Sequence, residues 1–218
     1  MGPMHADSPR GRLLTDYPTR AFHALFGLCF VGAYLTSDSE HWRLVHATLG
    51  YSLIALLGFR LIYGLVGPRP VRWATLWSKL SNSRNWLRSA ATMASRKWLN
   101  QGLSLAQSWF AFAALVLVIP LAISGHLQFN EIGPDWWLEV LEEVHEWGGN
   151  LLGLLAMGHV ILIAWMSGIR KQNHAQLMWS GRIQEKGPDL ITQPRMPMAL
   201  ALLVLFAMGV VGIWQALA

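Results

Sequence analysis

One stretch constrains this chain more than any other: residues 139–169, EVLEEVHEWGGNLLGLLAMGHVILIAWMSGI. A helix that crosses a bilayer needs about 20 mainly apolar residues, and this run is long enough. It also carries two histidines, His145 and His159. Ionisable side chains at membrane depth are costly, so each marks a functional site. The two lie fourteen positions apart, which on an α-helix is roughly 21 Å along the axis and about 40° short of four whole turns. They therefore share much the same face, one toward each side of the bilayer. Such a pair needs two partners, at the same two depths, on other helices.

Composition agrees with a membrane setting. Of 218 residues, 53% are hydrophobic and 13% charged, the latter about half of what soluble domains carry. Several apolar runs of spanning length make this an all-α integral membrane protein. The first twenty residues are polar and punctuated by Pro and Gly, so no cleavable signal peptide is expected and the first apolar run is retained. The single cysteine, Cys29, lies within that run. It leaves no intrachain disulfide and no C-x-x-C-H attachment for a c-type haem, and is read as a small packing residue. A net charge of +5 would suggest nucleic acid in a soluble protein, but here the basic residues are sorted by loop and no nucleic-acid partner follows.

Residues 1–18 form a polar tail, expected to be loosely ordered. Spans are expected near 19–36, 42–66, 103–124, 139–169 and 198–216. Between the second and third lies a basic loop, 67–102, in which Trp73, Leu76, Trp77 and Leu80 recur at i, i+3, i+4 and i+7, the period of an amphipathic helix. With Arg72, Lys79, Arg84, Arg88, Arg96 and Lys97 around it, this segment is expected to lie on an anionic leaflet. An acidic loop, 125–137, joins the third and fourth spans. A basic connector, 173–196, leads to the last segment, 197–218, which holds no ionisable residue and is read as a lipid-facing or partner-facing helix.

Arg10, Arg12, Arg20, Arg60, the basic loop before the third span and residues 170–196 hold every Lys and Arg except Arg43. Asp38, Glu40, Glu131, Asp135, Glu139, Glu142, Glu143 and Glu146 lie on the other side. The positive-inside rule puts the N-terminus in the cytoplasm, and five spans then put the C-terminus in the periplasm.

This topology pairs the histidines by depth. His23 begins an outward-going helix near the inner face, where His159 also lies; His46 and His145 both begin helices at the outer face. Three of the four read H-x-x-x-G: His23 with Gly27, His46 with Gly50, His145 with Gly149. Positions i and i+4 share a helix face, so the residue beside each ligand lacks a side chain, which a flat macrocycle needs and a bare zinc or copper ion does not. Bundle cores hold such cofactors between facing helices, and two axial imidazoles suit an electron-transfer haem. Arg20 and Arg43 each lie one turn before a histidine, placed either to pair with haem propionates or to snorkel. His5, His41, His126 and His174 are read as interfacial or solvated.

Arg20 and His23 in TRAFHALFG, His46 and Gly50 in VHATLG, Arg60 in GFRLIYGLVGPR and the spaced His145 and His159 together resemble the bacterial di-haem cytochrome b561 family, which includes the b-type cytochrome subunits of nickel–iron hydrogenases. The resemblance spans about residues 17–172. It implies a four-helix transmembrane bundle over 19–172 holding two haem b groups, His23 and His159 on the inner iron and His46 and His145 on the outer. The fifth helix falls outside that core.

The function this implies is an electron-transfer subunit of the bacterial inner membrane, linking the quinone pool to a periplasmic redox protein, most simply a c-type cytochrome, or to a hydrogenase or dehydrogenase subunit. The alternative is a superoxide:quinone oxidoreductase. An acidic outer face lowers the local concentration of an anion such as superoxide and steers a basic protein instead. Arg60, Tyr63 and the 60–72 turn are candidates for the quinone end because they combine polar groups with the inner depth.

Overall fold

The computed structural model of the chain describes residues 11–91, 95–184 and 187–218. It is built from five long helices and a polar cap. The long helices are α1 (Tyr17–Leu35), α2 (Arg43–Val66), α5 (Ser95–Phe129), α6 (Asp135–Arg170) and α8 (Met196–Leu217). The cap holds the short helices α3 (Trp73–Ser81), α4 (Ser83–Arg88) and α7 (Gln176–Ser180), with a two-stranded antiparallel ribbon of β1 (Arg12–Leu13) and β2 (Arg182–Ile183).

Local chemistry sets the helix ends. Asp16 caps α1 by accepting from the Thr19 amide at 3.2 Å, and Pro18 occupies the first turn, where a missing N–H costs nothing. Gly67 and Pro68 close α2, as Pro disfavours a helical residue before it. Lys171 ends α6 in a left-handed conformation at φ 51°. α5 and α6 are longer than the sequence patterning suggests. The first turns of α5 come from the basic loop, and the acidic loop between the two helices shrinks to residues 130–134. At about 1.5 Å per residue both helices exceed a hydrocarbon core of about 30 Å.

Four helices are long and apolar enough to cross a membrane: α2, α5, α6 and α8. The first helix, expected as a span, does not reach that measure, because Arg20 and His23 fall in its opening turns.

Helix α1 packs along α2, α5 along α6, and α8 covers α1 and α2. The shared core joins Phe22 and Cys29 of α1, Leu53 and Leu56 of α2, Val118 of α5, Leu152 of α6 and Leu202 of α8. Helix α8 therefore contributes to the core instead of standing outside it. In lipid this packing is held by dispersion and close fit, since expelling water is no longer the driving force.

The polar cap corrects three expectations. Residues 11–18 are not a loose tail: β1 pairs Arg12 with Ile183, the amides of Leu14 and Thr15 both donate to the Gly181 carbonyl, and Asp16 and Pro18 are fully buried. Gly181 accepts this approach because its φ is +76°, and a Cβ there would meet the Thr15 carbonyl at 2.6 Å. The amphipathic stripe of the 67–102 loop turns largely onto the protein itself. Leu80 is 4% exposed, and Trp73 donates its indole N–H to the Leu61 carbonyl at 2.9 Å under the Arg60 guanidinium. Trp86 and Trp98 stack at 4.5 Å and exchange indole N–H bonds to each other's carbonyls. Of the loop's tryptophans Trp73, Trp77, Trp86 and Trp98, Trp77 alone stays strongly exposed. Finally, His174, read as interfacial or solvated, is 6% exposed in the turn that follows α6. His5 and Arg10 lie outside the described residues.

Candidate cofactor site

The two histidines of α6 each meet an imidazole from the α1–α2 hairpin. His23 of α1 and His159 of α6 have ring centroids 6.0 Å apart; His46 of α2 and His145 of α6 have centroids 5.8 Å apart. The hairpin makes this possible. α1 and α2 run antiparallel, so a histidine near the start of each lies at opposite ends of the bundle, and α6 supplies a partner at both depths.

Two of the four rings are gripped at Nδ1. The Ala33 carbonyl lies 2.9 Å from Nδ1 of His46, and the Leu121 carbonyl 3.1 Å from Nδ1 of His145. A carbonyl can only accept, so both Nδ1 atoms carry the proton and both Nε2 atoms keep a free lone pair. Ser124 Oγ, whose own hydrogen goes to the Pro120 carbonyl at 2.8 Å, also lies 3.1 Å from Nδ1 of His145. Gly125 lets this ring lie against α5: a Cβ there would meet His145 Cε1 at 2.8 Å. Holding one imidazole nitrogen so that the other is free is how proteins orient a metal-binding histidine. At the inner pair the Gln107 amide nitrogen stands over the His159 ring, 2.7 Å from Nδ1 and 3.4 Å from Nε2.

The glycines of the H-x-x-x-G pattern stand beside open space. A Cβ built on Gly27, Gly50 or Gly149 meets nothing within 4 Å. Gly58, Gly168, Gly209 and Gly212 are equally open, so space alone does not distinguish the three. Their place one turn from a paired histidine does.

Both arginines have protein partners in this fold. Arg20 donates to the carbonyls of Met178 and Trp179 in α7. Arg43 pairs with Glu40 at 3.4 Å and lies over the Phe129 ring. His126 is held by Tyr51 at 2.6 Å, and His41 packs edge-on against Trp42. Gln107, Ser124 and Gly125 were not legible as site residues. Their signal is their position on α5, facing the α6 histidines across an antiparallel pair.

The fold defines a multi-pass membrane protein whose helices bring imidazoles together in pairs. The prokaryotic cytochrome b561 family matches residues 14–181, most of the chain, and the chain belongs to that family. It is thus a membrane b-type cytochrome of electron transfer, with haem b as its cofactor. No curated protein and no solved structure matches the chain.

The residues present fit that group. Metal–imidazole bonds are about 2 Å, so two in line, with the ring radii added, put centroids roughly 6 Å apart, close to both measured pairs. Among the described residues no three His, Cys, Asp or Glu side chains gather to hold a bare ion. Two imidazoles suit an iron whose other ligands belong to a macrocycle.

Proposed function

We propose that this cytochrome carries electrons across the bacterial inner membrane between the quinone pool and a periplasmic redox protein, most simply a c-type cytochrome. The observation that carries the proposal is the pair of imidazole pairs, 6.0 and 5.8 Å between centroids, hung from one helix fourteen residues apart. His23 and His159 would hold one haem b near the inner face, and His46 and His145 a second near the outer. When bound, haem b supplies a reversible one-electron couple at each depth.

The chain's own part is to fix the two sites. Helix α6 sets their separation, the Ala33 and Leu121 carbonyls set the tautomers of the outer pair, and Gly27, Gly50 and Gly149 leave room beside the ligands. Five spans, α1 included, put the N-terminus inside and the C-terminus outside. The acidic outer residues favour a docking partner with a basic patch. Arg43, the one basic residue on that side, is paired with Glu40, which leaves little positive field to attract superoxide. Arg20 and Arg43 would pair with the haem propionates through the N–H donors their present contacts leave free.

The test is the visible spectrum of detergent-purified protein, with haem per chain quantified, before and after a quinol is added. Two b haems reduced by quinol are expected. A protein with one haem, or with haems that quinol leaves oxidised, defeats this reading.

A further inference from the structure

Between α3 and α5 the surface opens into an apolar groove of about 330 Å³, lined by Trp73, Ala74, Leu76, Trp77 and Leu80 of α3 and Phe112 of α5. Ala74 and Trp77 are exposed along its mouth. The groove lies beside the membrane helices and not above them. Trp73 is bonded to the Leu61 carbonyl, five residues before α2 ends. Phe112 stands seventeen residues into α5, about 25 Å along the axis. The Trp109 indole N–H donates to Ser83 Oγ at 3.0 Å, so the start of α4 is held at a similar depth. An open apolar groove at that depth faces acyl chains.

The charge at its rim selects among lipids. No Asp or Glu occurs between Glu40 and Glu131. Arg69, Arg72, Lys79, Arg84 and Arg88 are all exposed, and among the described residues none of them forms an ion pair. Arg72 and Lys79 are seven residues apart at and along α3, so they share a face to within about 20° and stand about 10 Å apart along the axis. That face borders Leu76, at one edge of the groove. Long basic side chains lay their methylenes on apolar surface and carry the charge to the headgroups. Arg72 Nε is bonded to the Gly67 carbonyl at 2.8 Å, which leaves its two terminal nitrogens for an anion. A quinone tail could fill the groove but would bring these cations no counter-charge; a zwitterionic lipid would add a further cation among them.

We propose that this groove binds one anionic diacyl phospholipid of the membrane, with an acyl chain against Trp73, Trp77 and Phe112 and the phosphate paired with Arg72 and Lys79. The bound lipid fastens α3 to α5. The site is separate from the histidine pairs and stands whether or not they hold haem.

The experiment uses the full chain in detergent, equilibrated with equal amounts of phosphatidylglycerol and phosphatidylcholine, then washed, with each lipid per chain quantified by mass spectrometry. The wild type is expected to keep about one phosphatidylglycerol and to lose the phosphatidylcholine. A74W fills the groove from an exposed position and is expected to lose the lipid. R72Q/K79Q is expected to weaken retention about 25-fold, each charge near an anionic surface being worth about fivefold. K97Q removes an equally exposed charge at the far start of α5 and keeps the lipid. Phosphatidylglycerol with a diazirine in its acyl chain is expected to label the 73–81 helix and the α5 segment around Phe112. Far-ultraviolet circular dichroism reports that each variant has folded. Equal retention of the two lipids by the wild type overturns the site, as does full retention in A74W. Equal losses in K97Q and R72Q/K79Q reduce the effect to general adsorption and also overturn it, as do labels that fall elsewhere on the chain.

Discussion

On the proposed ligand pairing, His145 and His159 do the same chemical work in different surroundings, and single substitutions separate them. His145→Ala is expected to leave about one haem per chain and to remove the one whose other ligand is His46; His159→Ala removes the one shared with His23. Pyridine haemochrome quantification with redox titration reads both, and full occupancy of both sites in either variant refutes the pairing. Gly50 offers a sharper contrast, because a Cβ there meets no protein atom. Gly50→Leu is expected to keep its helical circular dichroism, with local helix propensity improved by about 0.5–1 kcal/mol, while losing the neighbouring haem. Retention of that haem would mean that the space beside Gly50 opens onto lipid.

Among the elements, the ends of α1 and α2 are tied by one buried carboxylate. Asp16 accepts from the Thr19 amide and from the Thr19 hydroxyl at 2.5 Å, and also from the Tyr63 hydroxyl. Losing the cap and stranding a buried hydroxyl costs about 1–3 kcal/mol, so Asp16→Ala should lower the melting temperature in detergent well below that of Asp16→Asn, which keeps an acceptor. Equal melting temperatures would remove Asp16 from this role. The α2–α3 junction depends on a close approach: a Cβ on Gly64 would stand 2.1 Å from the Trp73 indole nitrogen. Gly64→Ala is expected to displace Trp73 and expose the 67–102 connector to limited proteolysis, with no change in haem content. A cleavage pattern like the wild type would show that the indole finds another seat.

At the scale of the whole molecule, the orientation proposed from the charge distribution can be tested directly. Fusions of alkaline phosphatase at the C-terminus are expected to be active and green fluorescent protein fusions dark, with the reverse at the 67–102 connector. Active phosphatase at the connector would invert the topology. The proposed odd count of crossings depends on α1, whose first turns carry Arg20 and His23.

The membrane class, the histidine pairing by depth and the glycine pattern were legible in the linear chain, because the bilayer forces helices of known rise and period, and spacing along a helix then converts directly into depth and face. The fold alone decided what holds the rings. Gln107, Ser124 and the Leu121 carbonyl reach their histidines from α5, and Ala33 reaches His46 across the α1–α2 hairpin. No local rule places these contacts, since they depend on the register between packed helices. The same limit hid the order in residues 11–18 and the inward turn of Trp73 and Leu80. Polarity and period describe one element at a time, whereas burial is decided by what a neighbouring element covers.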